Sequence, residues 1–166
     1  MLEARLRESA TRDSLTGAYN RRHLDAIARD IEGGAGGAWG CLYVDIDCFG
    51  AYQVSHGQEA GDGVLVRMAR FLMRHVRADE PVVRLGDDEF VVILRGATDQ
   101  RTERVARRLQ LTALRTAPVP FSLGWAVREG SEGIDALVGR AAAAKVSVRV
   151  VERVSDARGQ VEEELV

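Results

Sequence analysis

The chain has 166 residues and a formal net charge of -2, with 46% hydrophobic and 29% charged residues. This length suits one hydrophobic core and excludes two full-sized domains, and this composition excludes a disordered chain. The charge balance offers no basic surface for nucleic acid, so any anionic ligand would be held by a local group of residues. We predict an N-terminal helix or linker over 1–12, one folded domain over 13–154 and a flexible polar tail over 155–166.

Cysteine usage and hydropathy bear on the compartment of the protein. Cys41 and Cys48 stand without a CxxC pair, a His/Cys cluster or a secretory segment. Cysteines of this kind predict reduced thiols, a cytoplasmic location and no zinc site. No apolar run reaches the roughly 18 residues of a membrane-spanning helix, so we expect no membrane segment in this chain.

The first third of the chain predicts two helices and a strand. Residues 1–12 favour a helix, and Asp13 or Ser14 can cap a turn before a second helix that ends at the GGAGG run. The run CLYVDID at 41–47 alternates apolar and polar residues, which predicts a strand with acids at its end. One face carries Leu42, Val44 and Ile46, and the other carries Tyr43, Asp45 and Asp47.

The remaining elements are, in chain order, a helix, a hairpin, a helix, a strand and a helix. They cover 63–78, the runs PVVRL and EFVVIL on either side of a Gly-Asp-Asp turn, 99–115, 121–127 and 134–149. A central hairpin among alternating helices and strands is typical of an α/β (α+β) fold in the ferredoxin-like or polymerase-palm manner. We therefore expect a central, mostly antiparallel sheet with flanking helices.

Five acids stand at the ends of two predicted strands. Asp45 and Asp47 close one strand, and Asp87, Asp88 and Glu89 occupy the hairpin tip. If those strands are neighbours, the carboxylates converge and repel each other by about 1 kcal/mol per pair in water, or about 4 kcal/mol at an effective dielectric of 20. A hard divalent cation such as Mg²⁺ would offset that repulsion. The alternative is that these acids are solvated turn residues, since Asp and Gly are common in turns.

Single positions exclude two other ligand-binding motifs. The segment from Asp45 imitates the start of an EF-hand, but Phe49 stands at its fifth position and His56 stands where a bidentate Glu is required. The glycines from Gly57 to Gly61 lack the Lys-Ser/Thr of a P-loop. The acids at the strand ends are thus the main candidates for chemistry.

Four stretches of the chain, in order, resemble motifs of the GGDEF domain family, the diguanylate cyclases that condense two GTP into cyclic di-GMP. DSLTGAYNRR at 13–22 is similar to DxLTGLxNRR, and the segment 45–62 is similar to DxDxFKxxNDxxGHxxGD. RLGDDEF at 84–90 is similar to RYGGDEF, and FSLGWA at 121–126 resembles the family's SIGVA strand. The resemblance runs from about residue 12 to residue 128 and implies a nucleotidyl-cyclase or polymerase-palm fold.

The resemblance implies a catalytic and metal site at the strand ends. Asp45 and Asp88 would be the Mg²⁺ ligands, with the main-chain carbonyl of Ile46 as a further ligand. Asp88 and Glu89 would be the catalytic acids, with Glu89 beside the metals and the attacking 3'-hydroxyl. Gly86 would let the backbone approach the nucleotide closely.

The resemblance also implies a nucleotide site. Gln53 stands where the family has a guanine-reading Asn, and Asp62 would bind the guanine edge. Arg149 and Arg153 fall where the family has a phosphate-binding Lys and Arg. The surrounding RADxALYxAKxxGRN pattern is present only in part, at 140–142, and the alternative for both arginines is a solvated helix end.

Several positions depart from the family pattern. Gln53 is one methylene longer than the Asn it replaces, while Gly50 replaces a Lys, Val54 an Asp and Gln58 a His. Asp87 replaces the second glycine of the signature. Its carboxylate would repel the nucleotide phosphates by roughly 1 to 4 kcal/mol per charge pair. A loss of that size weakens binding by about tenfold to about a thousandfold.

A second, inhibitory site for cyclic di-GMP is implied upstream of the signature. The family often carries an RxxD motif there, and this chain has Arg77 and Glu80, with Glu in place of Asp. Arg108 falls where a second product-binding Arg often lies. Arginine forks suit phosphates and guanine edges. The alternative is that both arginines are solvated on helix surfaces.

Two functions are compatible with these residues. One is a degenerate GGDEF domain in cyclic di-GMP signalling, a nucleotide-binding, regulatory or interaction module with weak or no cyclase activity. The other is an active, homodimeric diguanylate cyclase that uses GTP and Mg²⁺. The partners implied are GTP or cyclic di-GMP and other signalling domains or proteins. RNA binding on the sheet is excluded by 5% aromatic residues and the negative charge.

Overall fold

Helices and strands alternate along the chain as the sequence pattern predicts. The computed structural model describes residues 2–34, 37–148, 151–155 and 161–165. The helices are α1 Leu2–Thr11, α2 Arg21–Glu32, α3 Phe49–His56, α4 Gln58–His75, α5 Asp99–Thr116 and α6 Ile134–Ala143. The strands are β1 Trp39–Ile46, β2 Val82–Arg84, β3 Glu89–Arg95, β4 Phe121–Val127, β5 Val146–Val148, β6 Val151–Ser155 and β7 Val161–Leu165. None of the described helices is long and apolar enough to cross a membrane.

Strand β1 lies at the centre of a five-stranded antiparallel sheet with the order β2-β3-β1-β4-β5. Its register with β3 places Asp45 opposite Glu89, and its register with β4 places Asp45 opposite Ser122. Strands β6 and β7 form a separate antiparallel pair. The predicted α+β fold is confirmed, and the acids of β1 and β3 lie at the same end of the sheet.

The two faces of β1 pack into different hydrophobic clusters. Leu42, Val44 and Ile46 are buried with residues of α4 and α5. Cys41 and Tyr43 are buried with residues of α2 and α6. The predicted alternation of this strand is therefore confirmed. It puts the Asp45 position on the face that α2 and α6 cover, because alternate residues of a strand share a face.

Arg84 stabilises the hairpin between β2 and β3 through hydrogen bonds and an ion pair. Its guanidinium donates to the main-chain carbonyls of Gly86 at 3.2 Å and Asp87 at 3.0 Å, and it forms an ion pair with Asp13 at 3.2 Å. Burial opposes ionisation of Asp13, but hydrogen bonds from Thr16 and the charge of Arg84 lower the pKa of this carboxyl. One largely buried ion pair thus ties the hairpin tip to the turn that precedes α2.

One segment of the first half differs from the sequence prediction. The segment 49–56, for which no helix or strand was predicted, forms α3, whose first residue Phe49 is buried in the core. Tertiary packing can stabilise a short helix whose own sequence would not. The predicted cap of the turn before α2 is confirmed, since the Asp13 carboxylate accepts from the Thr16 N–H, while Asn20 caps α2 itself by accepting from the Arg22 N–H.

The C-terminal part of the chain departs further from the prediction. Helix α6, predicted to run to about residue 149, ends at Ala143, and Val146–Val148 pairs with β4 as β5. The β-branched valines after the helix favour a strand, and an open edge of β4 was there to pair with them. The segment predicted as a flexible tail includes β7, which pairs with β6.

Gly124 determines how closely α6 approaches the sheet. A Cβ at this position would collide with the main-chain carbonyl oxygen of Ala141 and would lie 2.8 Å from the backbone nitrogen of Lys145. Both obstacles are backbone atoms, so they cannot rotate away as a flexible side chain would. The glycine therefore allows the end of α6, and Lys145 after it, to lie directly on β4.

We expect Gly124→Ala to lower the free energy of unfolding by roughly 1–3 kcal/mol, because overpacking against backbone forces the helix away from the strand. Gly139→Ala is the matched control, since Gly139 lies within α6 and its added Cβ would meet nothing within 4 Å. Helix propensity predicts a gain of about 0.5–1 kcal/mol for that control. Urea unfolding measures both, and equal stability of the two variants would contradict the close approach.

Candidate active site

The ends of β1 and β3 bring the predicted metal ligands together. Ile46 donates its main-chain N–H to the carbonyl of Asp88 at 3.1 Å, which fixes the backbone of one strand end on the other. The carboxyl groups of Asp45 and Asp88 are close enough for their charges to interact. Partial burial, followed by the neighbouring charge of Asp45, raises the pKa of the Asp88 carboxyl. The convergence of acids expected from the sequence is therefore present.

A lysine is paired with the first of these acids. The Nζ of Lys145 lies 2.9 Å from Oδ2 of Asp45, and the two side chains are 43% and 25% exposed. The hydrogen bond from this ammonium to Asp45 is the main reason that the pKa of Lys145 is raised. The same ammonium lies 5.8 Å from the ring centroid of Tyr43, within cation–π range. Asp45 thus already has a positive partner from its own chain.

Glu89, the other predicted catalytic acid, accepts a hydrogen bond from a neutral side chain. The hydroxyl of Tyr43 donates to Oε2 of Glu89, the residue that begins β3. Burial, followed by the hydrogen bond to Glu89, raises the pKa of Tyr43, so the phenol is a neutral donor at physiological pH. Glu89 also folds toward the turn, since a Cβ on Gly86 would lie 2.7 Å from its Oε1. Tyr43 and Gly86 therefore flank this carboxylate on two sides.

Asp87, the acid that replaces the second glycine of the signature, is more exposed than Asp88 and Glu89. Asp87 is exposed at the turn between β2 and β3. Its backbone is ordinary, since Cys48 is the one non-glycine residue with a positive φ in the described part of the chain. The turn therefore does not require glycine at position 87, and the acid is accommodated without backbone strain.

Asp45 in β1 and Asp47 directly after it have different partners. Oδ1 of Asp47 accepts a hydrogen bond from the Ser122 hydroxyl at 2.7 Å, so this carboxylate is held toward β4. Cys48 then turns the chain into α3 with a φ of 55°, a left-handed conformation that is uncommon for a non-glycine residue. Asp47 is therefore engaged in the fold, whereas Asp45 faces the candidate site.

The predicted guanine-binding residues lie on two helices that pack together. Gln53 is on α3 and Asp62 is on α4, and both are half-buried. A Cβ at Gly61 would lie 2.8 Å from Cγ of Gln53, so the Gln side chain rests against the residue before Asp62. The structure thus brings the amide and the carboxylate into the same region, as the motif spacing implies.

The donor set at the strand ends suits Mg²⁺. Across the described residues, no three acidic, histidine or cysteine side chains converge as a complete metal cage. Mg²⁺ does not need such a cage, since it is commonly held by one or two carboxylates together with water and substrate phosphates. Asp45 and Asp88 supply two carboxylates whose mutual repulsion a divalent cation would relieve. These residues therefore fit the metal that the family resemblance implies.

The residues of the predicted inhibitory site have different surroundings. Arg77 and Arg108 line a groove of about 890 Å³ beside α5, and Arg108 also donates to the His75 carbonyl at 2.8 Å. Glu80 is turned inward, with its side chain only 4% exposed, and it pairs with Arg101 at 3.2 Å and accepts from the Arg77 N–H. The two arginines thus face the groove, whereas the carboxylate holds the turn in place.

The prediction of two phosphate-binding arginines assumed that the last helix runs to about residue 149. Arg149 lies outside the described residues, and Arg153 is described only as a backbone position in β6. Lys145 was missing from the predicted site residues, because α6 was predicted to extend past it and instead ends at Ala143. One signal could have revealed it: Lys145 is the single lysine among 23 basic residues. A helix one turn shorter also aligns Ala144-Lys145 with the Ala-Lys of the family pattern.

Comparison with known sequences gives a family for the chain. The family model described as "Diguanylate cyclase, GGDEF domain" matches residues 10–149. An uncharacterized signaling protein of Caulobacter vibrioides is 36% identical over 122 residues, which are 72% of this chain and 15% of that protein. The chain therefore spans a small part of the length of this curated relative.

Comparison with solved structures agrees. The diguanylate cyclase SiaD from Pseudomonas aeruginosa, in complex with its activator SiaC, has a TM-score of 0.73 and 28% identity, and the match covers 86% of this chain and 59% of that one. DgcB from Caulobacter crescentus, in complex with c-di-GMP, has a TM-score of 0.74 and 22% identity over 84% of this chain and 81% of that one, which supports the fold. The chain belongs to the GGDEF domain family of diguanylate cyclases.

Proposed function

We propose that this chain is a cytoplasmic, degenerate GGDEF domain of cyclic di-GMP signalling that binds a guanine nucleotide and has weak or no cyclase activity. The observation that carries this proposal is the exposed carboxylate of Asp87 at the hairpin tip, directly beside the candidate metal ligand Asp88. An added negative charge there opposes the approach of nucleotide phosphates. The ordinary backbone at this position explains how the fold tolerates the change.

The metal part of the proposal assigns Mg²⁺ to Asp45 and Asp88, with the main-chain carbonyl of Ile46 as a further ligand. When bound, Mg²⁺ would neutralise charge on the phosphates. The chain's own residues hold the site in shape: the pairing of β1 with β3 fixes the two carboxylates, and Tyr43 orients Glu89. These supports remain in place whether or not the domain turns over GTP.

The nucleotide part of the proposal assigns the guanine base to Gln53 and Asp62. An acceptor carboxylate suits the N–H edge of guanine, and the amide can complete the pattern of donors and acceptors. The phosphates would lie near Lys145, which we assign to the place of the family's phosphate-binding Lys because α6 ends at Ala143. The assignments of Arg149 and Arg153 to phosphate binding stay predictions. The support for the guanine assignment is the packing of Gln53 against Gly61, the residue before Asp62.

The second candidate function is an active diguanylate cyclase. The register of Asp45 opposite Glu89, with Asp88 beside them, favours it, because these acids keep the arrangement that metal-assisted attack of a 3'-hydroxyl would use. That reaction would require a homodimer in which each subunit presents one GTP. Cyclic di-GMP binding at Arg77 and Arg108 is a separate proposal, supported by their place in one groove.

We expect the unmodified protein to form little cyclic di-GMP from GTP and Mg²⁺, and Asp87→Gly to form at least about tenfold more. The physical reason is the removal of a charge that repels the phosphates of GTP, which should tighten GTP binding by roughly tenfold or more. Quantifying cyclic di-GMP by liquid chromatography over time measures this effect. Asp79→Gly, which removes another exposed turn acid, is the control and should change nothing. Rapid turnover by the unmodified protein would instead establish the active cyclase.

We expect Asp62→Ala to weaken binding of GTP by roughly 10- to 100-fold, because a hydrogen bond to a charged group contributes about 1.5–3 kcal/mol. Isothermal titration calorimetry with GTP and with ATP measures the loss and its dependence on the base. Glu59→Ala removes an exposed acid from the same helix and is the matched control. If both variants bind GTP equally well, Asp62 does not read the guanine.

A further inference from the structure

The net charge of -2 conceals an uneven distribution of charge along the chain. The segment 63–78, which includes most of α4, carries four arginines and no acid. Helix α5 carries five more arginines and only two acids. These two helices therefore concentrate positive charge in a molecule that is slightly negative as a whole.

The arginines of α4 form a single stripe. Arg67, Arg70 and Arg74 follow one another at intervals of three and four residues, which places them on one side of the helix. All three are exposed, and none of them forms an ion pair with another described residue. Arg77 is exposed in the turn that follows. The stripe thus presents its charge to solvent without a neutralising acid.

Helix α5 carries a second stripe with the same spacing. It consists of Arg101, Arg104, Arg108, Leu111 and Arg115, at alternating intervals of three and four residues. Arg101 is half-buried in an ion pair, and the other four residues are exposed. Leu111 leaves 70% of its surface open among these cations. An apolar side chain thus projects from the middle of a row of positive charges.

Both stripes point to the same side of the molecule. The buried faces of α4 and α5 pack into the same hydrophobic cluster on one face of the sheet. Their exposed faces therefore point away from the sheet in the same direction. The guanidinium of Arg108 joins the two helices, because it donates to the His75 carbonyl at the end of α4 at 2.8 Å. The exposed residues of the two stripes thus form one surface, which we call the arginine face.

We propose that the arginine face docks on the surface of an anionic lipid bilayer. Basic side chains are attracted to anionic lipid headgroups, and apolar side chains among them enter the boundary between headgroups and acyl chains. Leu111 supplies such an apolar side chain, and Met73, beside Arg74 in α4, supplies another with 37% of its surface exposed. Binding of this kind lies on the membrane and needs no helix that crosses it.

The exposed apolar residues favour a bilayer over a nucleic acid. The backbone of a duplex offers phosphates to arginines but no apolar region for a leucine. Single-stranded nucleic acid is usually bound by stacking its bases on aromatic side chains. Helix α5 contains no aromatic residue, and the one phenylalanine of α4, Phe71, is buried. Arginines mixed with exposed leucine and methionine therefore match lipid better than nucleic acid.

This inference goes beyond the proposed function and does not depend on it. Arg70, Arg74 and Leu111, the residues changed in the test, are outside the candidate active site. Arg77 and Arg108 also line the groove proposed for cyclic di-GMP, so they are left unchanged. Loss of membrane binding can thus be measured without disturbing either nucleotide site.

The test is sedimentation of the full chain with lipid vesicles. We expect binding to mixed phosphatidylglycerol and phosphatidylcholine vesicles, no binding to phosphatidylcholine alone, and weaker binding at high salt because ions screen the attraction. The double variant Arg70→Gln/Arg74→Gln should bind roughly 25-fold more weakly, since each arginine near an anionic surface contributes about fivefold. Arg22→Gln/Arg29→Gln is the matched control, because it removes two exposed arginines from α2 on the other face of the sheet. This control should stay within about twofold of the unmodified protein.

The variant Leu111→Gln distinguishes a bilayer from other polyanions. It keeps every charge and a good helix former, so it should weaken vesicle binding by roughly tenfold and leave binding to a DNA duplex unchanged. Absence of binding to the anionic vesicles overturns the inference, and so does an equal loss in the α2 control. Tighter binding to the duplex than to vesicles, with no effect of Leu111→Gln on either, also overturns it and identifies nucleic acid as the partner. GTP titration of the same variants should match the unmodified protein, so failure of membrane binding would leave the proposed function standing.

Discussion

Repulsion between carboxylates at the ends of β1 and β3 is the constraint on which this site depends. The sheet register brings Asp45, Asp88 and Glu89 into one small region, and two of these carboxylates have partners that offset the repulsion. Lys145 pairs with Asp45 and Tyr43 donates to Glu89, whereas partial burial and the charge of Asp45 raise the pKa of Asp88. Because these compensations come from the chain itself, the acids can be assembled before any ligand arrives.

Backbone packing decides where those compensating groups lie. Gly124 allows the end of α6 to contact β4 and so brings Lys145 to the acids. Arg84 holds the hairpin tip through two carbonyls and connects it to Asp13 in the turn before α2. The position of Asp88 is thus determined by contacts on both sides of the sheet end. A rigid scaffold of this kind can accept a changed side chain such as Asp87 without losing the geometry of its neighbours.

The sequence predicted the sheet, its central strand and the meeting of Asp45 with the hairpin acids, because alternation and turn residues act locally. It did not predict α3, whose formation depends on burying Phe49 in a core assembled from distant segments. It also extended α6 across Lys145, because four alanines favour a helix and the competing partner, the edge of β4, is remote in sequence. The inward position of Glu80 depends in the same way on Arg101, a partner from another element.

Asp87 would act on one charge of the proposed reaction. It adds a negative charge beside the candidate metal ligand Asp88, so it would oppose the approach of nucleotide phosphates. A triphosphate carries more negative charge than a phosphodiester, and it relies more on a metal to offset that charge. Asp87 would therefore disfavour the substrate of a cyclase more than a ligand with fewer charges. On the proposed function, such a site retains the recognition of a guanine ligand while it loses the chemistry that joins two triphosphates.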